Sequence, residues 1–421
     1  MLKELLIMAP DYRRTKRACY TAYFTMSSIF SLPPLLFVTF REMYGISYTL
    51  LGTLVLTNFV TQLLVDLVFT GFSSRFNIPL TVKIMPCITA LGLLIYALIP
   101  TFFPEIAYIG LILGTVLFSV SAGLSEVLLS PAIAAIPSDN PQRDMSMLHS
   151  LYAFGVFTVV IVSTLFLSIF GRENWMYLTV FFAVWPLLAA YLFFTSPMPP
   201  MNSESQAARD QGHPKKHTLG LFLCVGCIFF GSCAENSMSN WISGYFENAL
   251  HIDKTVGDIL GMAMFAILLG LTRIFYAKYG KNIGKMLLVG FVGASICYII
   301  VSFSSSVIPA LLAAILTGVF TAMLWPGNLI LLEENVPGIG VAAYAMMAAG
   351  GDLGASIAPQ LMGIVIDLVS ASEVAVSIGS ATGQTAEQVG MKAGMTVIGI
   401  FPILGTILLI FTLRYFKKHR V

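Results

Sequence analysis

The sequence predicts an all-α membrane protein with twelve transmembrane helices in two six-helix halves. Of the 421 residues, 57% are hydrophobic and 10% are charged, whereas soluble domains carry about 25% charged residues. Twelve apolar runs reach the roughly 20 residues that a helix needs to cross a bilayer. A polar, proline-rich and basic stretch separates the first six runs from the last six. Most of the chain is therefore expected to face lipid or its own apolar interior.

The twelve predicted spans cover most of the chain. They are residues 17–40, 47–73, 81–102, 106–136, 146–171, 174–196, 218–246, 255–277, 284–304, 307–334, 341–368 and 393–415. The intervening polar stretch, 197–217, has the composition of a flexible linker. We therefore predict an N-terminal half at 1–196, a cytoplasmic linker at 197–217 and a C-terminal half at 218–421. Two six-helix repeats of this kind place a substrate site between them near the bilayer midplane.

Lysine and arginine residues predict the orientation. With the N-terminus inside, four of the 23 cationic residues fall on the outer side: Arg41, Arg172, Lys254 and Lys392. Cytoplasmic loops carry an excess of Lys and Arg. The distribution predicts a multi-pass protein of the plasma (inner) membrane with both termini in the cytoplasm, and its partner surface is the lipid bilayer.

Several function classes are disfavoured. A net charge of +2 indicates no nucleic-acid partner. The sequence has no GxxxxGK[ST] phosphate loop, no HExxH and no GxSxG, which argues against an ATP-driven pump and against an enzyme. Cys224 and Cys227 form a CxxC without a second Cys or His pair nearby, so no metal site is expected. We predict no cofactor beyond a coupling ion, H⁺ or Na⁺, and a monomer.

Carboxylates inside apolar spans are the strongest functional signal. Glu126 lies in the middle of the fourth span, Asp66 belongs to a polar stripe on the second, and Asp352 follows two glycines on the eleventh. An ionisable group within the membrane is costly and marks an ion or substrate pathway. A carboxyl group that alternates between dry and wet surroundings changes its protonation state. We predict that Glu126, Asp66 and Asp352 serve the coupling ion.

Polar and aromatic side chains inside other spans predict a substrate site. Flat aromatic faces beside amides suit a ring with apolar faces and polar edges, such as a sugar. The predicted substrate-binding residues are His149, Tyr152, Glu235, Asn236, Asn240, Trp241, Asn328 and Gln360. Ordinary interhelical hydrogen bonding and aromatic packing remain alternatives for each of them. Pro33–Pro34 and Trp325–Pro326 are expected to interrupt the first and tenth spans, as helices at transport sites often are.

Four segments resemble a known family. The two six-helix halves resemble the major facilitator superfamily, and within it the fucose permease group of sugar/proton symporters. The similar segments are SEVLLSPAIAAIPSDNPQRDMSMLHSLYAFG (125–155), GSCAENSMSNWISGYFEN (231–248), LWPGNLILLEENVPGIG (324–340) and GGDLGASIAPQLMGIVID (350–367). The resemblance implies the major facilitator fold, alternating access and a central hexose-type site. It places the family's protonatable glutamate on Glu126 and its polar fifth-helix positions on His149 and Tyr152. The family's first-helix aspartate falls at Pro34, which leaves Asp66, Glu235 or Asp352 to replace it.

Together these patterns predict a secondary active transporter for a monosaccharide or similar small polar solute, coupled to H⁺ or Na⁺. Two alternatives remain open at this stage. An efflux carrier for amphiphilic compounds would need a mainly apolar cavity, whereas the stripes on the second, fourth, seventh and eleventh spans are polar. A membrane sensor would bind its ligand without moving it.

Overall fold

The computed structural model describes residues 11–72, 75–139, 141–199, 218–280, 282–304, 306–336 and 341–418. These residues form helices and no strand. The predicted linker lies outside the described residues except for 197–199, as do the first ten residues. The side chain of His149 also lies outside them, although its backbone is helical.

Six long helices precede the linker. They are α1 (Arg13–Tyr44), α2 (Tyr48–Phe72), α3 (Ile78–Phe102), α4 (Ala107–Ala134), α5 (Pro141–Phe170) and α6 (Trp175–Phe194). Short 3₁₀ turns at Pro104–Ile106 and Arg172–Asn174 lead into α4 and α6. In α1 the helix continues through Pro33 and Pro34. The predicted interruption of the first span is therefore wrong. A proline removes a single backbone hydrogen bond, and neighbouring groups in a membrane helix can compensate for that loss.

The helices after the linker include two irregular spans. They are α7 (Thr218–Asn248), α8 (Met264–Tyr279), α9 (Ile283–Phe303), α10 (Val307–Thr321), α11 (Pro326–Asn335), α12 (Val341–Ser370), α13 (Glu373–Thr382) and α14 (Ala386–Lys418). A helical turn at Lys254–Gly257 and a π-helical segment at Asp258–Ala263 precede α8. The tenth predicted span is divided between α10 and α11, with the predicted break at Trp325–Pro326.

The lengths of the helices agree with the predicted spans. Among the described residues, eleven helical stretches are long and apolar enough to cross a membrane. The remaining predicted span, the fifth, falls in α5, where the described apolar stretch is the shorter Phe154–Phe170. Helix α13 is an additional short element, whereas the turn at Lys254–Gly257 begins the eighth span.

The chain forms two compact units. The first contains Met1–Phe30, Leu64–Gly155 and Met176–Ser205. In it, α3 and α4 pack at very short range because both present glycines. A Cβ atom added at Gly92 would lie 2.6 Å from the backbone nitrogen of Phe118, and one at Gly114 would lie 2.6 Å from Cβ of Tyr96. Small residues that allow close backbone approach are the usual means of packing helices in lipid.

The second compact unit contains Ser31–Leu63, Val156–Trp175 and Gln206–Val421. Its core includes apolar side chains of α7, α9, α11 and α14, among them Ile228, Phe291, Leu332 and Leu409. The unit also contains the second part of α1, the first part of α2 and the second part of α5. A Cβ atom at Gly363 of α12 would collide with the carbonyl oxygen of Tyr48, so α2 begins directly against α12.

Candidate functional site

Glu126 and Asp66 lie near each other in the first compact unit. Glu126 projects from the middle of α4, and its side chain is exposed although its neighbours Ser125 and Leu128 are buried. It lies within electrostatic range of Asp66 on α2 and of the buried Tyr23 on α1. Because a carboxyl group in contact with lipid is costly, we expect Glu126 to face the protein interior. This is the arrangement expected of a group that exchanges an ion with water.

Asp66 is only partly buried, but one of its carboxylate oxygens is enclosed. Oδ1 of Asp66 has no hydrogen-bond partner among the described residues. A buried oxygen without a donor is costly. Two carboxylates that repel each other, one of them with an unsatisfied oxygen, are stabilised by a bound cation or proton. The pair therefore has the chemistry of an ion site.

Aromatic side chains accompany this pair. Tyr152 of α5 meets Tyr23 edge to face, with ring centroids 6.4 Å apart, and meets Phe30 edge to face at 5.9 Å. Tyr23 is thus near both Tyr152 and Glu126. The structure brings Tyr152 to the predicted coupling residues, while the position of the His149 side chain is outside the described residues.

Asp144 anchors the beginning of α5. Its carboxylate forms an ion pair with Lys16 of α1 and accepts a hydrogen bond from Ser138. The Tyr20 hydroxyl donates to Oδ1 at 3.3 Å. Asp144 precedes the apolar stretch of α5, and the Lys16 ammonium together with the Ser138 hydroxyl lowers the pKa of its carboxyl. This cluster holds α1 and α5 together at one end of the first unit.

The predicted polar stripe of α7 is present in the second unit. Asn236 donates to Oγ of Ser232 at 3.1 Å, and Asn240 donates to the carbonyl oxygen of Asn236 at 2.8 Å. Both bonds run along the helix and are donated by the amide N–H groups. Asn236 is partly exposed and Asn240 is 9% exposed.

Trp241 and Gln360 lie close together. The indole N–H of Trp241 donates to the carbonyl oxygen of Pro359 at 3.1 Å, next to Gln360 on α12. Trp241 is 1% exposed, and its ring also packs against Phe37 and Tyr48. Oε1 of Gln360 is buried without a hydrogen-bond partner among the described residues. The Trp241 ring is thus held in place by its hydrogen bond and its aromatic contacts. Nearby, Gln360 provides a hydrogen-bond acceptor without a partner among the described residues.

Asn328 follows the break of the tenth span. It is fully buried, and its Nδ2 donates to the carbonyl oxygen of Leu324 at 2.6 Å. Its Oδ1 has no partner within the described part of the chain. Asp352 lies on α12, partly buried, next to Gly351, whose Cα faces the indole nitrogen of Trp325. A Cβ atom at Gly351 would collide with that nitrogen.

Glu235 is paired with a cation that the sequence pattern assigned to the cytoplasmic side. Nη2 of Arg273 on α8 lies 3.1 Å from Oε1 and 3.4 Å from Oε2 of Glu235. Nε of the same guanidinium donates to the carbonyl oxygen of Ala322 at 2.9 Å. Arg273 lies inside the predicted eighth span. A cation within an apolar run indicates an intramembrane ion pair, so the sequence contained a signal for this contact.

A second ionic network was not predicted from the sequence. Asp258 is 1% exposed. Its carboxylate accepts hydrogen bonds from the hydroxyl groups of Ser243 and of Thr164, the second at 3.3 Å. Lys254 lies 3.2 Å from Oδ2 of Asp258 and 3.9 Å from Oε2 of Glu247. Glu247 in turn forms an ion pair with Arg172, which is 3.0 Å from Glu42. The network connects the end of α1, the segment after α5, the end of α7 and the π-helical segment.

Another cluster ties the beginning of α2 to the last helices. The Tyr48 hydroxyl donates to Glu387 of α14, and Arg41 lies 3.2 Å from the same carboxylate. The Arg41 guanidinium also covers the Tyr48 ring at 4.2 Å from its centroid. Asp367 of α12 accepts from the backbone nitrogens of Tyr48 and Thr49 at 3.1 and 2.6 Å. All these groups belong to the second compact unit.

Comparison with known sequences gives one family. The family model of the Major Facilitator Superfamily matches residues 19–359. No curated protein sequence matches the chain significantly.

Solved structures with the same fold include several transporters. A D-xylose-proton symporter is 14% identical, with a TM-score of 0.74 over 94% of this chain and 96% of that one. A bacterial homolog of the human lysosomal transporter Spinster, in an inward-facing and occupied conformation, is 14% identical, with a TM-score of 0.74 over 98% of this chain and 99% of that one. The E. coli xylose transporter in an inward open conformation is 14% identical, with a TM-score of 0.70 over 94% and 95%. This likeness, together with the helices, confirms the predicted fold class.

Proposed function

Because this chain belongs to the major facilitator superfamily, we propose that it is a secondary active transporter that moves a monosaccharide or similar small polar solute. Transport proceeds by alternating access and is coupled to H⁺ or Na⁺. The observation that carries the proposal is the Glu126 carboxyl, which lies inside a membrane helix and within electrostatic range of Asp66. Ionisable groups so placed line ion pathways in transporters.

The amides and aromatic rings support a polar ring-shaped solute. Gln360 and Asn328 each carry a buried oxygen without a partner among the described residues, and such oxygens suit the hydroxyl donors of a sugar. The D-xylose symporter and the xylose transporter are named for a sugar, which favours sugars as the first compounds to test. No cofactor beyond the coupling ion is part of the proposal, and the active form is a monomer.

Ligand screening tests the substrate class directly. The purified protein is heated with a panel of monosaccharides and polyols, with and without Na⁺ and at several pH values. A ligand that binds the folded state raises the melting temperature. At a concentration of 100 times its Kd, it stabilises the folded state by about 2.7 kcal/mol. We expect stabilisation by one monosaccharide class. Stabilisation by amphiphilic compounds alone would favour an efflux carrier, and binding without flux in proteoliposomes would favour a sensor.

The first prediction concerns Glu126→Gln. The amide keeps the size of the side chain and cannot release a proton, so the variant is expected to lose gradient-driven accumulation by at least about tenfold. Substrate exchange between the two sides needs no net ion movement and is expected to continue. Both activities are measured with radiolabelled substrate in proteoliposomes under an imposed H⁺ or Na⁺ gradient.

Glu105→Gln is the matched control. Glu105 is an exposed acid in the 3₁₀ turn before α4, and its neutralisation is expected to leave both activities unchanged. If Glu126→Gln accumulates substrate as the unaltered protein does, Glu126 does not carry the coupling ion. Asp66→Asn and Asp352→Asn are then compared in the same assay.

The membrane and orientation form part of the proposal. We place the protein in the plasma (inner) membrane with both termini in the cytoplasm. Fusion of a reporter that is active only in the cytoplasm to the C-terminus, and of one active only outside the cytoplasm, tests this orientation. Activity of the second fusion alone would reverse it.

A further inference from the structure

The break in the tenth span leaves one backbone carbonyl group without its helical donor. In an α-helix the carbonyl oxygen of Ala322 would accept from the nitrogen of residue 326, which is a proline and has no N–H. The carbonyls on either side are satisfied by the backbone. Thr321 accepts from Leu324 at 2.8 Å, and Met323 accepts from Gly327 at 2.8 Å. The unsatisfied group is buried, since Ala322 is 0% exposed.

Arg273 supplies the missing donor. Its Nε donates to the Ala322 oxygen at 2.9 Å, and its Nη2 contacts the Glu235 carboxylate. One planar guanidinium therefore joins α7, α8 and the break between α10 and α11. Only arginine has donors in this fixed fork geometry, because the lysine ammonium is a single point on a flexible stem.

The break and the end of α10 are closely packed on three sides. A Cβ atom at Gly231 of α7 would lie 2.6 Å from Cβ of Leu324, and one at Gly290 of α9 would lie 2.6 Å from the carbonyl oxygen of Phe320. On the third side, Gly351 of α12 meets Trp325. The segment that leaves the break carries Asn328, whose Oδ1 is unsatisfied among the described residues.

We propose that Arg273 is a positioning residue for transport: by bonding the Ala322 carbonyl and Glu235 together, it fixes the break of the tenth span and thereby aims Asn328 at the substrate. The role of Asn328 toward the substrate rests on the proposed transport function. The bonding of Arg273 to the break is independent of any substrate.

The test is a double-mutant cycle between Arg273 and Pro326. Arg273→Lys keeps the charge but removes the planar set of N–H donors. We expect a melting temperature lower by several degrees and a KM higher by about tenfold. Pro326→Ala adds an N–H that can bond the Ala322 oxygen without Arg273. The double variant is therefore expected to regain the melting temperature of Pro326→Ala alone. Its KM is expected to stay high, because a continuous helix aims Asn328 elsewhere.

A control proline separates this coupling from a general effect. Pro402 lies inside α14, and Pro402→Ala is expected to show no thermal coupling with Arg273→Lys. Additive melting-temperature effects of Arg273→Lys and Pro326→Ala would overturn the bonding of Arg273 to the break. Recovery of a normal KM together with the melting temperature would overturn the positioning role.

The melting cycle is measured without substrate, so it remains informative if the unaltered protein transports none of the compounds tested. That result would contradict the proposed function and not the thermal coupling. A coupled melting cycle with an unchanged KM in every variant would leave Arg273 as a purely structural residue and overturn the proposal.

Discussion

Acidic side chains inside the helices meet three different surroundings in this protein. Glu126 is exposed within the first unit, near Asp66. Glu235 is paired with Arg273, and Asp258 is enclosed with Lys254. A cationic partner compensates the charge of a carboxylate, whereas a second carboxylate nearby adds negative charge that a bound proton or cation would neutralise. The surroundings thus separate the coupling candidate from the acids that hold helices together.

Asp144 gives a prediction at the level of a single residue. Lys16 and Ser138 hold the pKa of its carboxyl below the ordinary value, so the charged form stabilises the folded state. This contribution is complete above the unfolded-state pKa and is lost as the pH falls below about 4 toward the folded-state pKa. Asp144→Asn is expected to lower stability by roughly 1 kcal/mol at neutral pH. The difference from the unaltered protein should disappear in acid.

Thermal unfolding in detergent between pH 7 and pH 3 measures this difference. Asp139→Asn is the control, because Asp139 is an exposed acid five residues away. An effect of Asp144→Asn that stays constant down to pH 3 would show that the ion pair with Lys16 does not contribute in solution.

The sequence identified Glu126 and Asp66 because the cost of a carboxylate in an apolar helix is visible from composition alone. It could not identify the role of Glu235, because the partner Arg273 is 38 residues away and was counted among the cytoplasmic cations. Asp258 was missed for the same reason: its partners Thr164 and Ser243 come from other helices. Pairing between helices depends on three-dimensional packing, which one sequence does not contain.

At the scale of the helices, two proline sites behave differently. In α1 the helix continues through Pro33 and Pro34, whereas α10 ends before Pro326. At the second site, Arg273 bonds a carbonyl oxygen that the proline leaves without a helical donor. The prolines therefore predicted the loss of a backbone hydrogen bond in both places. Whether the helix ended there depended on the surrounding side chains, which the sequence pattern does not give.

Asp367 gives a prediction for the beginning of α2. The first backbone N–H groups of a helix have no partner within it. Here Tyr48 and Thr49 donate to Asp367, and Leu50 donates to the Ser47 hydroxyl. Asp367→Ala is expected to cost about 1–2 kcal/mol, as the loss of a helix cap does. Asp367→Asn keeps one acceptor oxygen and should cost less.

Thermal unfolding followed by intrinsic fluorescence compares the two Asp367 variants. Equal losses for Asp367→Ala and Asp367→Asn would mean that the carboxylate contributes by charge and not as a cap. The sequence alone does not reveal this contact, because the N-terminus of α2 that Asp367 caps is more than 300 residues away.

At the scale of the whole molecule, the compact units do not follow the order of the chain. The second unit combines residues 206–421 with Ser31–Leu63 and Val156–Trp175, whereas the predicted halves divide at the linker. The polar contacts of this unit include the network around Asp258 and the cluster around Tyr48. The network joins α1 and α5 to later helices, and the cluster joins α1 and α2 to later helices. In the proposed alternating-access cycle, we expect contacts of this kind to hold one end of the transport path closed.

Lys254 is the residue to test for such a closed end. It is 9% exposed and lies between Asp258 and Glu247. Lys254→Met leaves both acids without this cation, and removal of one partner from a buried ion pair costs about 3–5 kcal/mol. A conformation that opens this end exposes the acids to water and avoids much of that cost. We therefore expect the variant to populate the open conformation.

A cysteine at Ser163, which is buried beside Thr164 in this unit, reports the opening. Its labelling by a membrane-impermeant maleimide should be about tenfold faster in Lys254→Met, since a shift of 1.4 kcal/mol changes a population tenfold. The double variant Lys254→Met/Asp258→Asn also removes the charge of Asp258, one of the two acids that lose Lys254, and should label at an intermediate rate. Protein with the six native cysteines alone gives the background. Labelling that Lys254→Met leaves unchanged, with a lower melting temperature, would show that the network stabilises the fold and does not hold the path closed.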